Sequence, residues 1–145
     1  MPIFTILCAD DDEDDRLMTR EAFEESRIAN DLRFVHDGVE LLQYLRREGP
    51  YADPSQSPRP GLVLLDLNMP RLDGREALAQ IKADPALREI PVVVMTTSDA
   101  EVDVDYVYRI GGNSYITKPV SFEGMVQAVR RLDEYWLQLV RLPGQ

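Results

Sequence analysis

Apolar runs too short for helices alternate along this chain with amphipathic stretches long enough to be helices. That alternation marks βα units and a parallel sheet with helices laid on it. The apolar runs predict β1 at residues 3–9, β2 from Asp31 to His36, β3 at 62–66, β4 at 91–95 and β5 at 113–117. The amphipathic stretches predict α1 from Asp12 to Arg27, α2 from Val39 to Arg47 and α3 from Arg75 to Ala83. They continue with α4 from Ala100 to Ile110 and a long α5 from Phe122 to Val140. Leu62-Val63-Leu64-Leu65 and Val92-Val93-Val94-Met95 lack polar alternation, as central strands covered on both faces do. Leu41, Leu42 and Leu45 form a helical stripe in α2, and Val102, Tyr106, Val107 and Ile110 form one in α4. Gly111-Gly112 then ends α4, where a left-handed position favours glycine.

A chain of 145 residues, 44% hydrophobic and 29% charged, suits one globular domain over 1–145 and leaves little room for a separate output domain. With 26 acids against 16 bases the formal net charge is −10, which opposes binding to nucleic acid, because affinity for phosphate backbones comes mainly from Lys and Arg. No apolar run reaches membrane-spanning length and no signal peptide opens the chain. Cys8 is the only cysteine, so no internal disulfide can form. A cytoplasmic protein without a membrane partner is the plain expectation. The stretch 49–61, with four prolines and two serines, is expected to be an exposed loop with no regular structure. It reads as a tolerated insertion between α2 and β3, or more sharply as a partner-contacting loop.

The chemistry gathers where the strands end. Five Asp and one Glu run from Asp10 to Asp15 directly after β1. β3 delivers Asp66, β4 ends on the hydroxyl of Thr96, and β5 ends on Lys118, followed by Pro119. Groups at the carboxyl ends of neighbouring parallel strands converge on one crevice. Carboxylates, a hydroxyl and a lysine there make a site for a cation and a phosphoryl group. A carboxylate is a weak nucleophile with the same charge sign as its target. A hard dication with oxygen ligands overcomes that repulsion. Asp10 and Asp11 can supply its ligands and Asp66 can complete them. Asp66 lies between a strand and the turn Asn68-Met69-Pro70-Arg71-Leu72-Asp73-Gly74. It is the best nucleophile, with an acyl phosphate as product. Lys118 can balance phosphoryl charge, and Thr96 can hydrogen-bond a phosphoryl oxygen.

Four motifs in this order resemble a response-regulator receiver domain across nearly the whole chain. They are Ala9-Asp10-Asp11, then Leu64-Leu65-Asp66-Leu67-Asn68-Met69-Pro70 with Asp73-Gly74, then Met95-Thr96-Thr97-Ser98, and Tyr115-Ile116-Thr117-Lys118-Pro119. The resemblance implies a flavodoxin-like, doubly wound (βα)5 fold whose parallel sheet has strand order 2-1-3-4-5. It implies that Asp66 accepts a phosphoryl group from a histidine of a sensor kinase. Asp11 matches a direct Mg²⁺ ligand, Asp10 one that acts mainly through water, and the backbone carbonyl of Asn68 a further ligand; Mn²⁺ could substitute. Lys118 matches the phosphoryl-contacting lysine, usually held by a cis bond to proline. Thr96 and Tyr115 match the hydroxyl and aromatic of the switch. Thr96-Thr97-Ser98, the segment from Gly112 to Phe122, and Tyr135-Trp136 with Val140 and Leu142-Pro143 resemble the small single-domain receivers that serve bacterial phytochromes. Many receivers carry Ala or Gly where this chain has Thr97, a larger side chain that could narrow access to the phosphoryl group.

Plainer readings stand beside these. Asp12 to Asp15 read as the solvated start of α1, where acids complement the helix dipole. His36, the only histidine, reads as structural, so the chain receives a phosphoryl group and does not pass one from a histidine of its own. Phe122, Met125, Val129, Leu132, Trp136 and Leu139 recur at helical spacing. A helix over 122–140 would outrun strands of about five residues. Its apolar end, with Trp136, Val140 and Leu142, predicts a partner surface and a homodimer through α4-β5-α5. The chief alternative function is a pseudo-receiver, a phosphorylation-independent interaction and dimerisation module. A hydrolase using the same carboxylates lacks a second acid/base group, and the acidic run lacks the glycine and distal glutamate of an EF-hand loop. The expected protein is therefore a phosphoacceptor and not a turnover enzyme.

Overall fold

The computed structural model describes residues 4–98 and 100–139, the last three of these as backbone only. Five parallel strands form one sheet in the order β2-β1-β3-β4-β5. The strands are β1 Thr5–Ala9, β2 Asp31–Val35, β3 Pro60–Leu65, β4 Val92–Thr96 and β5 Ser114–Thr117. The helices are α1 Glu13–Glu25, α2 Gly38–Arg46, α3 Gly74–Ala83, α4 Glu101–Arg109 and α5 Phe122–Leu132. This is the doubly wound flavodoxin-like fold that the apolar runs and the motifs predict.

The period-two geometry of a strand divides its side chains between the two faces. Ile6, Cys8, Leu62, Leu64, Val93 and Met95 pack with Ala22 and Phe23 of α1 and with Met125, Val129 and Leu132 of α5. Leu7, Ala9, Val63, Leu65, Val92 and Val94 pack on the other face with Leu41, Leu78, Ile81 and Val107 from α2, α3 and α4. Because both faces are covered, neither β3 nor β4 needs a polar side. The strand ends bearing Asp10, Asp66, Thr96 and Lys118 are thereby held in one rigid frame.

Two expectations fail. The 49–61 stretch is neither free of regular structure nor wholly exposed. It forms short 3₁₀ turns at Gly49–Tyr51 and Pro54–Gln56, and its last residues open β3. Ser57 is buried, its Oγ lying 2.9 Å from the Tyr51 carbonyl and 3.2 Å from that of Asp53. Tyr44 donates to the Pro58 carbonyl, Tyr51 donates to Glu40, and the two rings pack against each other. These tyrosines staple the segment to α2. The α5 helix also differs, since its α-helical part stops at Leu132 and a π-helical turn covers Asp133–Leu139. Trp136 packs against the α1–α5 side of the core and so does not overhang the sheet. Val140 and Leu142 lie outside the described residues.

Candidate functional site

Each functional side chain stands where a strand gives way to a loop. The Asp10 amide donates to the Val35 carbonyl and the Asp66 amide to the Ala9 carbonyl. The sheet's hydrogen bonding thus extends one residue past β1 and β3 and sets both carboxylates side by side. Behind Asp66, α3 begins at Gly74, and a side chain at that glycine would run into the Asp66 carbonyl. Asp73 caps α3 through the Arg75 amide. Arg71 reaches back to Asp37, the cap of α2, in a two-pronged ion pair of 2.8 and 3.1 Å. Caps and ion pair together fix the turn that carries Asn68.

Asp66 is nearly buried, with 7% of its surface exposed. Its Oδ1 accepts from the Thr96 hydroxyl at 2.8 Å and from the Asn68 amide at 3.2 Å, and its Oδ2 accepts from Lys118 at 3.0 Å. Lys118 also donates to Asp10 Oδ2 at 2.8 Å and to Asp15 Oδ2 at 3.1 Å. The backbone follows the same plan: the Lys118 amide bonds the Thr96 carbonyl, and the Arg16 guanidinium bonds the Asp10 carbonyl at 2.9 Å. No cis peptide bond occurs among the described residues, so the Lys118-Pro119 bond is trans, contrary to the family expectation. Trans is the intrinsically favoured isomer of an X-Pro bond.

One ammonium serves three carboxylates, and the ionisation of the cluster reflects that shortage. Burial works against the Lys118 charge, but Asp10 and Asp66 outweigh it and hold the lysine above its ordinary range. Burial likewise pushes the Asp10 carboxyl above the usual carboxylate range, against the pull of Lys118 and the Asp12 amide. Both directions follow from a site rich in acid and short of positive charge.

One oxygen each from Asp10, Asp11 and Asp66 can lie within 4.8 Å of one another. Asp11 is exposed while its two partners are buried, so the group has an open side. An all-oxygen donor set with a charge deficit and an open side fits Mg²⁺ or Mn²⁺. Asp10, Asp11, Asp66, Asn68, Thr96 and Lys118 are thus gathered at one mouth, as their positions on the strand ends require.

The solvated reading of the acidic run holds for Asp12, which caps α1 through the Asp15 amide. It fails for Asp15, whose carboxylate reaches Lys118. Its place on the first helical turn, three residues beyond the cap, is one it shares in kind with Glu13 and Asp14. Tyr115, half-buried, donates from its hydroxyl to the Ser98 carbonyl at 2.7 Å. Ser98 Oγ donates to Asp103 at 2.6 Å, and Arg75 grips Asp103 with two bonds of 2.7 Å. This chain joins the loop after Thr96 to α3, α4 and β5. Arg75 and Asp103 carry no motif, because their meeting depends wholly on how α3 and α4 pack. Thr97 is exposed. His36 lies 3.9 Å from Glu40 and away from the cluster.

Residues 6–130 match the profile of the response regulator receiver domain. The chain belongs to this family. The receiver is 40% identical over 143 residues to the response regulator Rcp1 of Synechocystis sp., covering 99% of this chain and 95% of Rcp1. The structure of Mn²⁺-bound Rcp1 matches it with a TM-score of 0.88, covering 97% of this chain and 99% of that one. The phosphorylated cyanobacterial phytochrome response regulator RcpA gives a TM-score of 0.91 at 41% identity, covering 99% of this chain and all (100%) of that one. Response regulator RPA3017, of red light signalling in R. palustris, gives 0.92 at 38% identity, with coverage of 99% and 100%. Among the described residues, no helix of the receiver is long and apolar enough to cross a membrane.

Proposed function

We propose that this receiver accepts a phosphoryl group on Asp66 from a histidine of a sensor kinase in a two-component pathway. The observation that carries the reading is the environment of Asp66: a nearly buried carboxylate held by a hydroxyl, an amide and an ammonium, beside two further carboxylates. A carboxylate oxygen of Asp66 attacks phosphorus. The O–P bond forms as the P–N bond to the donor imidazole breaks, and that bond's electron pair leaves with the nitrogen, which takes up a proton. Asp10, Asp11, Asp66 and the backbone carbonyl of Asn68 would hold Mg²⁺ or Mn²⁺. When bound, the ion offsets the charge of carboxylate and phosphoryl oxygens. Lys118 stabilises the transferred group, and Thr96 turns its hydroxyl from Asp66 Oδ1 to a phosphoryl oxygen. Its motion pulls on Ser98, hence on Tyr115 and Asp103, and biases the α4-β5-α5 face between two states.

The likeness to RcpA and RPA3017 supports a phytochrome as the kinase. The complete set of Asp10, Asp11, Asp66 and Lys118 favours this reading over a pseudo-receiver. The domain is a cytoplasmic single receiver, and its output surface pairs with a second copy. Exposed apolar side chains support that face: Val102 and Tyr108 stand on α4, and Val120 and Phe122 lie at the start of α5.

Incubation with a small phosphodonor and Mg²⁺, followed by intact mass measurement, tests the acceptor. One added phosphoryl group is expected, lost in Asp66→Ala and after chelation. Uptake that persists in Asp66→Ala would sink the assignment. Light scattering with and without beryllofluoride tests the pairing, and a monomer in both states would remove the dimer.

A further inference from the structure

An ammonium group has three N–H donors, and in this receiver all three of Lys118's are taken. They go to Asp10 at 2.8 Å, Asp66 at 3.0 Å and Asp15 at 3.1 Å. The lysine side chain is only 4% exposed, so water supplies little slack. Lys118 therefore has no N–H to offer an incoming phosphoryl oxygen until one carboxylate lets go. The three partners are not equivalent. The side chains of Asp10 and Asp66 are 4% and 9% exposed, whereas that of Asp15 is 29% exposed and makes the longest contact. A carboxylate released from a buried place has to find new partners or accept a proton. Asp15 has only to return to water, on a helical turn whose backbone Asp12 already caps.

We propose that Asp15 is a displaceable stand-in for the phosphoryl group, occupying the Lys118 donor that a phosphoryl oxygen takes when the site is filled. It is a positioning residue that acts through Lys118, and the inference rests on Asp66 being the phosphoacceptor. Two effects follow. Asp15 keeps Lys118 compensated and correctly aimed while the site is empty. It also competes with the phosphoryl group, both for that N–H and through its own negative charge, and so lowers phosphoryl affinity.

The test is beryllofluoride binding in the presence of Mg²⁺, with Mg²⁺ binding alone measured in parallel, for the wild type, Asp15→Asn, Asp15→Ala and Asp15→Glu. Removing one charge at a partly screened distance is expected to tighten beryllofluoride binding by about three- to tenfold in Asp15→Asn and Asp15→Ala. The same change removes attraction for a cation and is expected to weaken Mg²⁺ binding by about twofold. Asp15→Glu keeps the charge and should stay near the wild type. Opposite signs for the two ligands are the signature of competition, since structural damage weakens both. Unchanged or weaker beryllofluoride binding in Asp15→Asn and Asp15→Ala overturns the proposal. A wild type that fails to bind beryllofluoride with Mg²⁺ overturns the phosphoacceptor reading and this inference with it.

Discussion

Replacing Lys118 by Met keeps the apolar stem of the side chain and removes the one cation shared by Asp10, Asp66 and Asp15. Breaking a buried pair by removing one partner costs about 3–5 kcal/mol, because the other partner stays buried and uncompensated. Several contacts survive here: Asp10 still accepts from the Asp12 amide, and Asp66 from Thr96 and Asn68. Asp15 is free to turn to water. The lower end, about 3 kcal/mol, is therefore expected in the presence of EDTA. For a domain of this size that corresponds to a fall in Tm of roughly 10 °C. The cost should also depend on pH. Burial already raises the Asp10 carboxyl above its ordinary value, and loss of the ammonium raises it further. A carboxyl raised in the folded state favours folding below its unfolded value and loses that contribution as pH rises through its folded value. The variant should therefore approach the wild type as pH falls from neutral to about 5. Mg²⁺ should restore much of the loss, since a ligand at a hundred times its Kd stabilises by about 2.7 kcal/mol. Urea unfolding of both proteins, with EDTA and with Mg²⁺, and in EDTA from neutral pH down to about pH 5, measures all three effects. A loss below about 1 kcal/mol in EDTA at neutral pH, the range of an exposed ion pair, would refute the argument that Lys118 holds together an acid-rich buried cluster.

Arg75, and next the Ser98 hydroxyl, hold the Asp103 carboxyl down to about 2. Because an unfolded aspartate titrates near 3.9, that contribution is present above about pH 4 and is lost as pH falls toward 2. Asp103→Asn should cost about 1 kcal/mol at neutral pH, the upper end for a surface ion pair, because the two side chains are partly buried. It should also flatten the acid limb of the stability curve, and a limb as steep as the wild type's would remove Asp103 from the account. Ser57→Ala takes away a buried hydroxyl that ties the 49–61 segment to itself, and a loss of about 1–2 kcal/mol is expected in thermal unfolding. A neutral result would return that segment to the status of a tolerated insertion. Burial pushes the Cys8 thiol far above its ordinary range, so an aromatic disulfide reagent should react only as fast as the protein unfolds. Rapid labelling of the native protein would contradict the burial of β1.

The sequence by itself determined the frame and most of the site. Apolar runs such as Leu62 to Leu65, too short for helices and set between amphipathic stretches, read as strands covered on both faces. Strands alternating with helices read as a parallel sheet, and parallel strands bring Asp10, Asp66, Thr96 and Lys118 to the same edge. Local chemistry was enough for that, because a strand's end is encoded within a few residues. What tertiary structure decided lies where distant side chains choose partners. Asp15 looks like any acid of a helical first turn until α1 sets it against Lys118, 103 residues away. Arg75 and Asp103 look like surface charges until α3 and α4 bring them together. The 49–61 segment has the composition of a loose loop, yet Tyr44 and Tyr51 dock it on α2. The apolar spacing past Leu132 reads as one continuing α-helix, whereas the folded chain has a π-helical segment there, with Trp136 partly buried against the core. Apolar periodicity records which side of an element is buried. Which polar groups then meet is set by loop lengths and helix placement, and these emerge only when the whole chain packs.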